Sequence, residues 1–248
     1  MSDLDLQVRN ATATDLDRIA ELETNIFAAH SITPFAREHF FAWLEVYPRG
    51  FFVAEQGGEV VGYTYTQVIN CDYSDPYELD RWVSFDAVND RGYTRASHRC
   101  DGGYHLGVNI GSIVPGAGKL LVEALVRLGE NTQKPLLGMS RISGLKSYAD
   151  QLTRAGIVDA AVSHAAKHAI ALFYVLECAK LVHGSVRLMP KCAGLNCSGL
   201  PTLPVPSAPD PVLCKYLRNK YFAIWALLPE FIKDPASLNY AVLIGPAK

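Results

Sequence analysis

Features that would indicate a membrane, secreted or nucleic-acid-binding protein are missing from this sequence of 248 residues. No apolar run approaches the roughly twenty residues of a membrane-spanning helix. The N-terminal MSDLDLQVRN has neither the basic nor the apolar region of a secretory signal. The net charge of −2 argues against a nucleic acid held by phosphate contacts. The six cysteines are scattered, as in proteins of a reducing compartment. We therefore expect a cytoplasmic protein with no membrane or nucleic-acid partner.

Metal-binding motifs are also lacking. His164 and His168 are spaced to share one helix face, but no carboxylate motif accompanies them. Cys192 and Cys197 are a similarly incomplete set, so we expect no metal site. What the chain does have is a hydrophobic content of 49% against 19% charged residues, enough for a sizeable core.

One stretch, from Tyr104 to Asn131, has the pattern of an anion site. An apolar run from Leu106 to Ile110 is flanked by glycines and predicts a buried strand. Gly116-Ala117-Gly118 follows, and then an amphipathic helical pattern. Glycines let the backbone approach an oxygen closely, and the first N–H groups of a helix have no partner within it. A diphosphate is the usual ligand of such a turn.

Two common diphosphate motifs do not fit these residues. A dinucleotide fingerprint has a third glycine where this chain has Leu121. A P-loop has Ser or Thr after Gly118-Lys119, where this chain has Leu120. An ordinary buried strand–helix unit stays open as an alternative.

The elements predicted around this stretch follow one order: strand, two helices, hairpin, long insert, central strand and helix, next strand, second insert, final helix and two strands. The predicted strands are Leu4–Arg9, Phe51–Glu55 paired with Glu59–Val68, Leu106–Ile110 and Pro135–Ile142. The predicted helices are one that begins at Thr12-Ala13-Thr14-Asp15, one over Pro34–Tyr47 and one over Asp159–Leu181. The final helix and two strands are predicted within 210–245.

The loop and the order of elements resemble the GNAT superfamily of N-acyltransferases. In that family a strand ending in Val leads to a loop of the pattern Q/R-x-x-G-x-G/A that binds coenzyme A. Val108 stands eight residues before Gly116, and Gly116 and Gly118 match the two small positions. Ile113 stands where the family has Gln or Arg, and Pro115 lies inside the loop without an N–H. The resemblance covers roughly 6–69, 104–145 and 210–245.

The C-terminal part is similar to GNAT domains found beside carbon–nitrogen hydrolases and to GNAT loading domains of polyketide synthases. Asp210-Pro211-Val212-Leu213 agrees with their pattern, while Tyr216 takes the place of their histidine. The resemblance implies an α/β fold in which a twisted, mostly antiparallel mixed sheet is flanked by helices. We expect a single GNAT-like domain with inserts at about 70–103 and 146–209.

The implied activity is transfer of an acetyl or longer acyl group from acyl-CoA to an amine of a small molecule or peptide. Replacement of the histidine by Tyr216 favours ordinary acyl transfer over decarboxylation. The alternatives are a decarboxylase or S-acyltransferase that loads a carrier protein, a long-chain acyltransferase, and a catalytically inactive CoA-binding module, which stays open because Ile113 replaces Gln or Arg.

The site residues follow from the same resemblance. We expect Tyr216 to protonate the leaving thiolate and a backbone N–H near Val108–Ile110 to bind the oxyanion. The base is open between Tyr104, His105 and an ordered water; strand alternation puts Tyr104 on the face of Val108 and His105 on the other. The residues expected to bind the cofactor are Val108, Ile110, Ile113, Val114, Gly116, Ala117, Gly118 and Lys119.

The inserts fall outside the resemblance. Asn70–Gly103 either overlies the acceptor site or is a surface excursion with a short helix. The helix over Asp159–Leu181 belongs either to the core or to an acyl or substrate pocket.

Overall fold

The computed structural model describes residues 6–27, 32–71, 82–159, 163–183 and 203–247. The chain divides into two compact units, Met1–Gly138 and Met139–Lys248. The organisation as a single domain with two inserts stays a prediction. Within the described parts of the chain, none of the helices combines the length and apolarity that crossing a membrane requires.

The first unit is a mixed sheet covered by helices. Its described strands are β1 (Leu6–Asn10), β2 (Phe51–Gln56), β3 (Glu59–Ile69), β4 (Tyr104–Ser112) and the start of β5 (Leu136–Arg141), and its helices are α1 (Leu16–Phe27), α2 (Arg37–Val46), α3 (Phe85–Val88) and α4 (Ala117–Thr132). The strands are ordered β1-β2-β3-β4-β5. The first three pairings are antiparallel and the last is parallel.

The expected hairpin of β2 and β3 is confirmed. Gly57 and Gly58 have φ angles of 60° and 87°. Positive φ at both central residues is typical of the two-residue turn that matches strand twist, and glycine adopts it without strain. This turn places Gln56 opposite Glu59 and Glu55 opposite Val60, and a one-residue register shift at Val61 then places Val53 opposite Tyr63.

Aromatic side chains fill the core between α2 and the sheet. Trp43 stacks on Tyr65 with ring centroids 4.6 Å apart, and both side chains are fully buried. The indole Nε1 of Trp43 donates to the carbonyl of Gly92 at 2.6 Å. Further along, the amide of Gln67 donates to the carbonyl of Val88 at 2.8 Å. The described part of the first insert is therefore packed on the sheet and hydrogen-bonded to it.

The described part of the second unit contains three α-helices and an antiparallel strand pair. Their bounds are α5 (Leu145–Arg154), α6 (His164–His183), α7 (Leu213–Leu217), β6 (Phe222–Leu228) and β7 (Ala241–Pro246). Arg141 and Asp234 form an ion pair of 2.8 Å in which the carboxylate is almost fully buried. The final helix and two strands expected from the sequence are confirmed.

Two predicted helix starts are wrong. Helix α2 begins at Arg37, three residues after Pro34, because Ala36 is extended with φ −81° and ψ 164°. Helix α6 begins at His164 and not at Asp159. Helix α5 lies in a segment for which the sequence analysis predicts no helix. Cys192 and Cys197 lie outside the described residues.

Candidate active site

Strand β4 has an irregularity at the centre of the predicted site. Its register with β3 moves from Tyr65 opposite Asn109 to Thr66 opposite Gly107, so Val108 is an extra residue on β4. Such a β-bulge bends the strand and redirects its backbone groups, and bulges are over-represented beside active sites. The backbone at Val108 is therefore differently oriented from that of a regular strand.

The parallel pairing of β4 with β5 is short. In the described register it joins His105 to Leu136 and Leu106 to Leu137. Strand β4 continues to Ser112. The bulged part of β4 thus lies just past the paired part.

The glycine loop leads from β4 into α4. The N–H of Ile113 donates to the carbonyl of Val61 at 3.0 Å, which anchors the loop. Gly116 has φ +90° and ψ −30° at the N-cap of α4, a conformation that favours glycine. A β-carbon on Gly118 would lie 3.2 Å from the hydroxyl oxygen of Ser112. The helix thus starts with a backbone that a phosphate oxygen can approach closely.

Some of the residues predicted to bind the cofactor are buried and others are exposed. Ala117 is buried with Leu121, and Ile110 and Val114 pack against that small cluster. Val108 is buried, whereas Ile113 is 52% exposed. The side chain of Lys119 is 78% exposed, with its Nζ 3.8 Å from Glu123. The structure brings Gly116, Ala117, Gly118 and Lys119 together at the start of α4; their role in binding stays a prediction.

The two candidate bases at the start of β4 lie in different environments. Tyr104 is half-buried. His105 is fully buried, and its Nε2 is 2.8 Å from the hydroxyl of Thr132. Burial, with smaller effects from Lys134 and His98, lowers the pKa of His105 to about 4. His105 is therefore neutral at pH 7 and a weak base. Its catalytic role stays a prediction that this environment disfavours.

A buried carboxyl that the sequence analysis did not single out lies beside β4. Glu23 of α1 is 2% exposed and accepts hydrogen bonds from the N–H of Phe35 at 2.8 Å and the amide of Asn109 at 3.0 Å. The hydroxyl of Tyr63 donates to the same carboxyl. Burial raises the pKa of Glu23 to about 7, against the smaller opposite effects of the Phe35 N–H and the Asn109 amide.

A sequence signal for Glu23 exists. It lies four residues after Ile19 and seven after Leu16, on the apolar stripe of α1. A carboxylate on that stripe is rarely tolerated without partners.

The candidate acid lies in the second unit. Tyr216 is half-buried on α7, with its ring edge-on to Phe222 at 6.0 Å. Burial raises the pKa of Tyr216 to about 12, so its hydroxyl is protonated at neutral pH and is a weaker acid than an unperturbed phenol. Its role as acid stays a prediction.

Asp210, the first residue of the motif shared with loading domains, has a structural position. It is fully buried and accepts from the backbone N–H groups of Gly144 at 2.9 Å, Val212 at 3.0 Å and Leu213 at 2.8 Å. These bonds join the start of α7 to the start of α5.

The chain is similar to several known proteins. No protein-family model matches it. It is 29% identical to the "Probable hydrolase YhcX" of Bacillus subtilis (strain 168) over 164 residues, which are 63% of this chain and 30% of that protein. The chain thus spans less than a third of the length of this curated relative.

Two solved structures superpose on nearly the whole chain. One is a GphF GNAT-like decarboxylase in complex with isobutyryl-CoA, with TM-score 0.62 and 17% identity over 98% of this chain and 100% of that one. The other is the loading GNATL domain of CurA from Lyngbya majuscula, with TM-score 0.61 and 17% identity over 98% and 97%. The resemblance drawn from the loop and the element order is confirmed at the level of fold: the protein has the α/β fold of the GNAT superfamily.

Proposed function

We propose that the protein transfers an acyl group from acyl-CoA to an amine of a small molecule or peptide. The observation that carries this proposal is the bulge at Val108 on the same strand that leads into the glycine loop and the start of α4. The oxyanion that forms from a thioester carbonyl needs a free backbone donor, which the bulge can supply. The diphosphate of coenzyme A needs the free N–H groups at the start of a helix, which α4 can supply. The GphF structure contains an acyl-CoA on the same fold, which supports the choice of co-substrate.

The residues have distinct tasks in this proposal. The N–H groups of Gly118 and Lys119 bind the diphosphate at the positive end of α4. The N–H of Ile110 donates to the side chain of Asn109 at 2.9 Å, so Val108 is the better oxyanion donor. Tyr216 keeps its proton at neutral pH and gives it to the leaving thiolate.

An ordered water, or Tyr104 on the face of Val108, accepts the proton of the amine. His105 is a poorer candidate because its ring is buried and its pKa is lowered.

A second candidate function is loading of a carrier protein, with or without decarboxylation. The likeness to GphF and CurA over 98% of the chain favours it. Tyr216 weighs against the decarboxylating form, because it replaces a histidine of the shared motif. A carrier protein is then the acceptor in place of an amine.

A panel of acyl-CoA thioesters separates these functions. Acetyl-, isobutyryl-, malonyl- and palmitoyl-CoA are each incubated with the protein and a mixture of amines, and free thiol is measured. Thiol release that requires the amine supports N-acyl transfer. Conversion of malonyl-CoA to acetyl-CoA, seen by mass spectrometry, supports decarboxylation instead. Preference for palmitoyl-CoA indicates a long-chain enzyme. Binding of coenzyme A without any turnover supports an inactive module and contradicts the proposal.

A further inference from the structure

Glu23 connects three elements of the first unit. One carboxyl oxygen accepts from the N–H of Phe35, just before α2, and the other interacts with Tyr63 on β3 and Asn109 on β4. A buried carboxylate is stable only when such donors surround it. The position of the β4 backbone therefore depends on a side chain of α1.

Asn109 connects Glu23 to the bulge through its hydrogen bonds. Its amide nitrogen donates to Glu23, and its amide oxygen accepts from the N–H of Ile110 at 2.9 Å. Its own carbonyl accepts from the hydroxyl of Thr64 at 2.9 Å. Asn109 is thus fixed on both sides directly after the bulged Val108. Any change at Glu23 acts on the backbone next to the proposed oxyanion donor.

The protonation state of Glu23 changes these bonds. The ionised carboxylate accepts from all three donors at once. A proton on the oxygen that faces Asn109 turns that oxygen into a donor towards Tyr63 and a weak acceptor towards Asn109. The ionised form therefore holds Asn109 more firmly than the neutral form does.

Other titratable groups lie around Glu23. Tyr63 is in direct contact, the hydroxyl of Tyr65 is 3.1 Å from that of Thr94, and Arg37 is paired with Asp17. The other titratable and charged side chains on α1 and on the elements packed against it are Asp15 in the turn before α1, Asp17, Arg18 and Glu21 on α1, Arg37, Glu38, His39 and Glu45 on α2, Glu59, Tyr63 and Tyr65 on β3, and Tyr104 and His105 on β4.

We propose that Glu23 is a positioning residue for acyl transfer: its ionised form, acting through Asn109, holds the bulged part of β4 in the geometry that binds the oxyanion. This inference rests on the proposed function. It makes the rate of the chemical step depend on the ionisation of a group that does not touch the substrate, and the rate rises with pH.

The test is the pH dependence of kcat in the wild type, in Glu23→Gln and in a control. Wild-type kcat should rise through an apparent pKa near 7, where burial places that of Glu23. Glu23→Gln presents an NH₂ group to one of the donors, so it should lack this step and be slower than the wild-type plateau by about tenfold, the effect of losing one hydrogen bond. Glu21→Gln, on the same helix but with its side chain 59% exposed, should keep the wild-type profile.

A second measurement does not need activity. The backbone amide NMR signals of Val108, Asn109 and Ile110 should titrate with Glu23 in the wild type and lose that titration in Glu23→Gln. Asn109→Ala should remove the rise of kcat with pH. Glu23 should still titrate in this variant, which the ¹³C signal of the Glu23 carboxyl would show. If Glu23→Gln does not fold, Tyr63→Phe and Asn109→Ala provide the comparison.

The outcomes are distinguishable. An unchanged pH step in Glu23→Gln or Asn109→Ala overturns the inference, and so do β4 amide signals that ignore the ionisation of Glu23. If the β4 amide signals respond to Glu23 but the protein consumes no acyl-CoA, the structural link is supported and the proposed function is refuted. The catalytic part of this inference is then refuted with it.

Discussion

Acidification should destabilise the protein through His105, and the structure shows which nitrogen accepts the proton. The hydroxyl of Thr132 donates its single hydrogen to the carbonyl of Leu128 at 2.7 Å. It must therefore accept from His105, whose Nε2 carries the hydrogen. Nδ1 is then the basic atom, and it is buried without a hydrogen-bond partner in the described residues. Protonation creates a cation there that no side chain or backbone group of the described residues accepts a hydrogen bond from.

The magnitude follows from the two pKa values. The pKa of His105 is about 4 in the fold, against an ordinary value of 6.5. At 1.36 kcal/mol for each pH unit, the difference is worth about 3 kcal/mol of unfolding free energy. The folded state has the depressed pKa, so this stability is fully present above pH 6.5 and is lost as the pH falls towards 4.

The pH dependence of the wild type alone does not isolate the effect of His105, because Glu23 changes the free energy of unfolding in the opposite direction. The wild type must therefore be compared with a variant that lacks His105. Its pKa is raised from 4.5 to about 7, so its contribution is fully present below pH 4.5 and is lost as the pH rises through 7. The two effects overlap and offset each other in the wild type. His105→Gln keeps a donor for Thr132 and removes the titrating nitrogen.

Urea unfolding at pH 7.5 and pH 4 measures the effect. The free energy of unfolding of His105→Gln should fall by about 3 kcal/mol less than that of the wild type over this range. His164→Gln, which changes an exposed histidine, should behave like the wild type. Equal losses in the wild type and His105→Gln would refute the reasoning, as would ¹⁵N shifts showing the hydrogen on Nδ1 at neutral pH.

Three further predictions concern the other parts of the chain. Tyr216→Phe should lower kcat by about one to three orders of magnitude, the range of general-acid effects, with CoA affinity nearly unchanged; full activity would move the search for the acid to solvent or to Tyr174, a buried tyrosine of α6 whose hydroxyl is 3.5 Å from Asp210. Deletion of residues 72–81, which lie outside the described residues, should change acceptor kinetics more than CoA affinity, and the reverse pattern would contradict a role of this insert on the acceptor side. Asp210→Ala should lower the free energy of unfolding by about 3 kcal/mol or more, because it leaves three backbone N–H groups without their acceptor. Asp150→Ala, at an exposed ion pair, should change it by less than about 1 kcal/mol; equal effects would contradict the role given to Asp210.

The elements that local patterns determine were predictable from the sequence. The Gly57-Gly58 turn, the strand before Gly111 and the helix after Gly116 each carry their own signals within a few residues. Their order is shared with the GNAT fold, so the architecture followed as well.

The details of the site depend on contacts between distant residues and were not predictable in this way. The bulge at Val108 arises from the pairing of β4 with β3, which adjacent residues do not encode. Glu23 is 86 residues from Asn109. Its place on the apolar stripe of α1 was the available signal, but the stripe alone does not name its partners. The start of α2 is also not encoded locally: Ala36 is extended, and the N–H of the preceding Phe35 donates to Glu23 on another helix.

The central claim, that coenzyme A binds at the start of α4, is tested most directly by calorimetric titration of coenzyme A into the wild type, Gly118→Ala and Gly118→Glu. A carboxylate in the first turn of a helix favours the folded state, so Gly118→Glu should fold. It places a negative charge where the diphosphate is expected and should abolish binding. Gly118→Ala brings its β-carbon to 3.2 Å from Ser112 Oγ and should keep measurable affinity. Wild-type affinity in a folded Gly118→Glu variant would contradict the account.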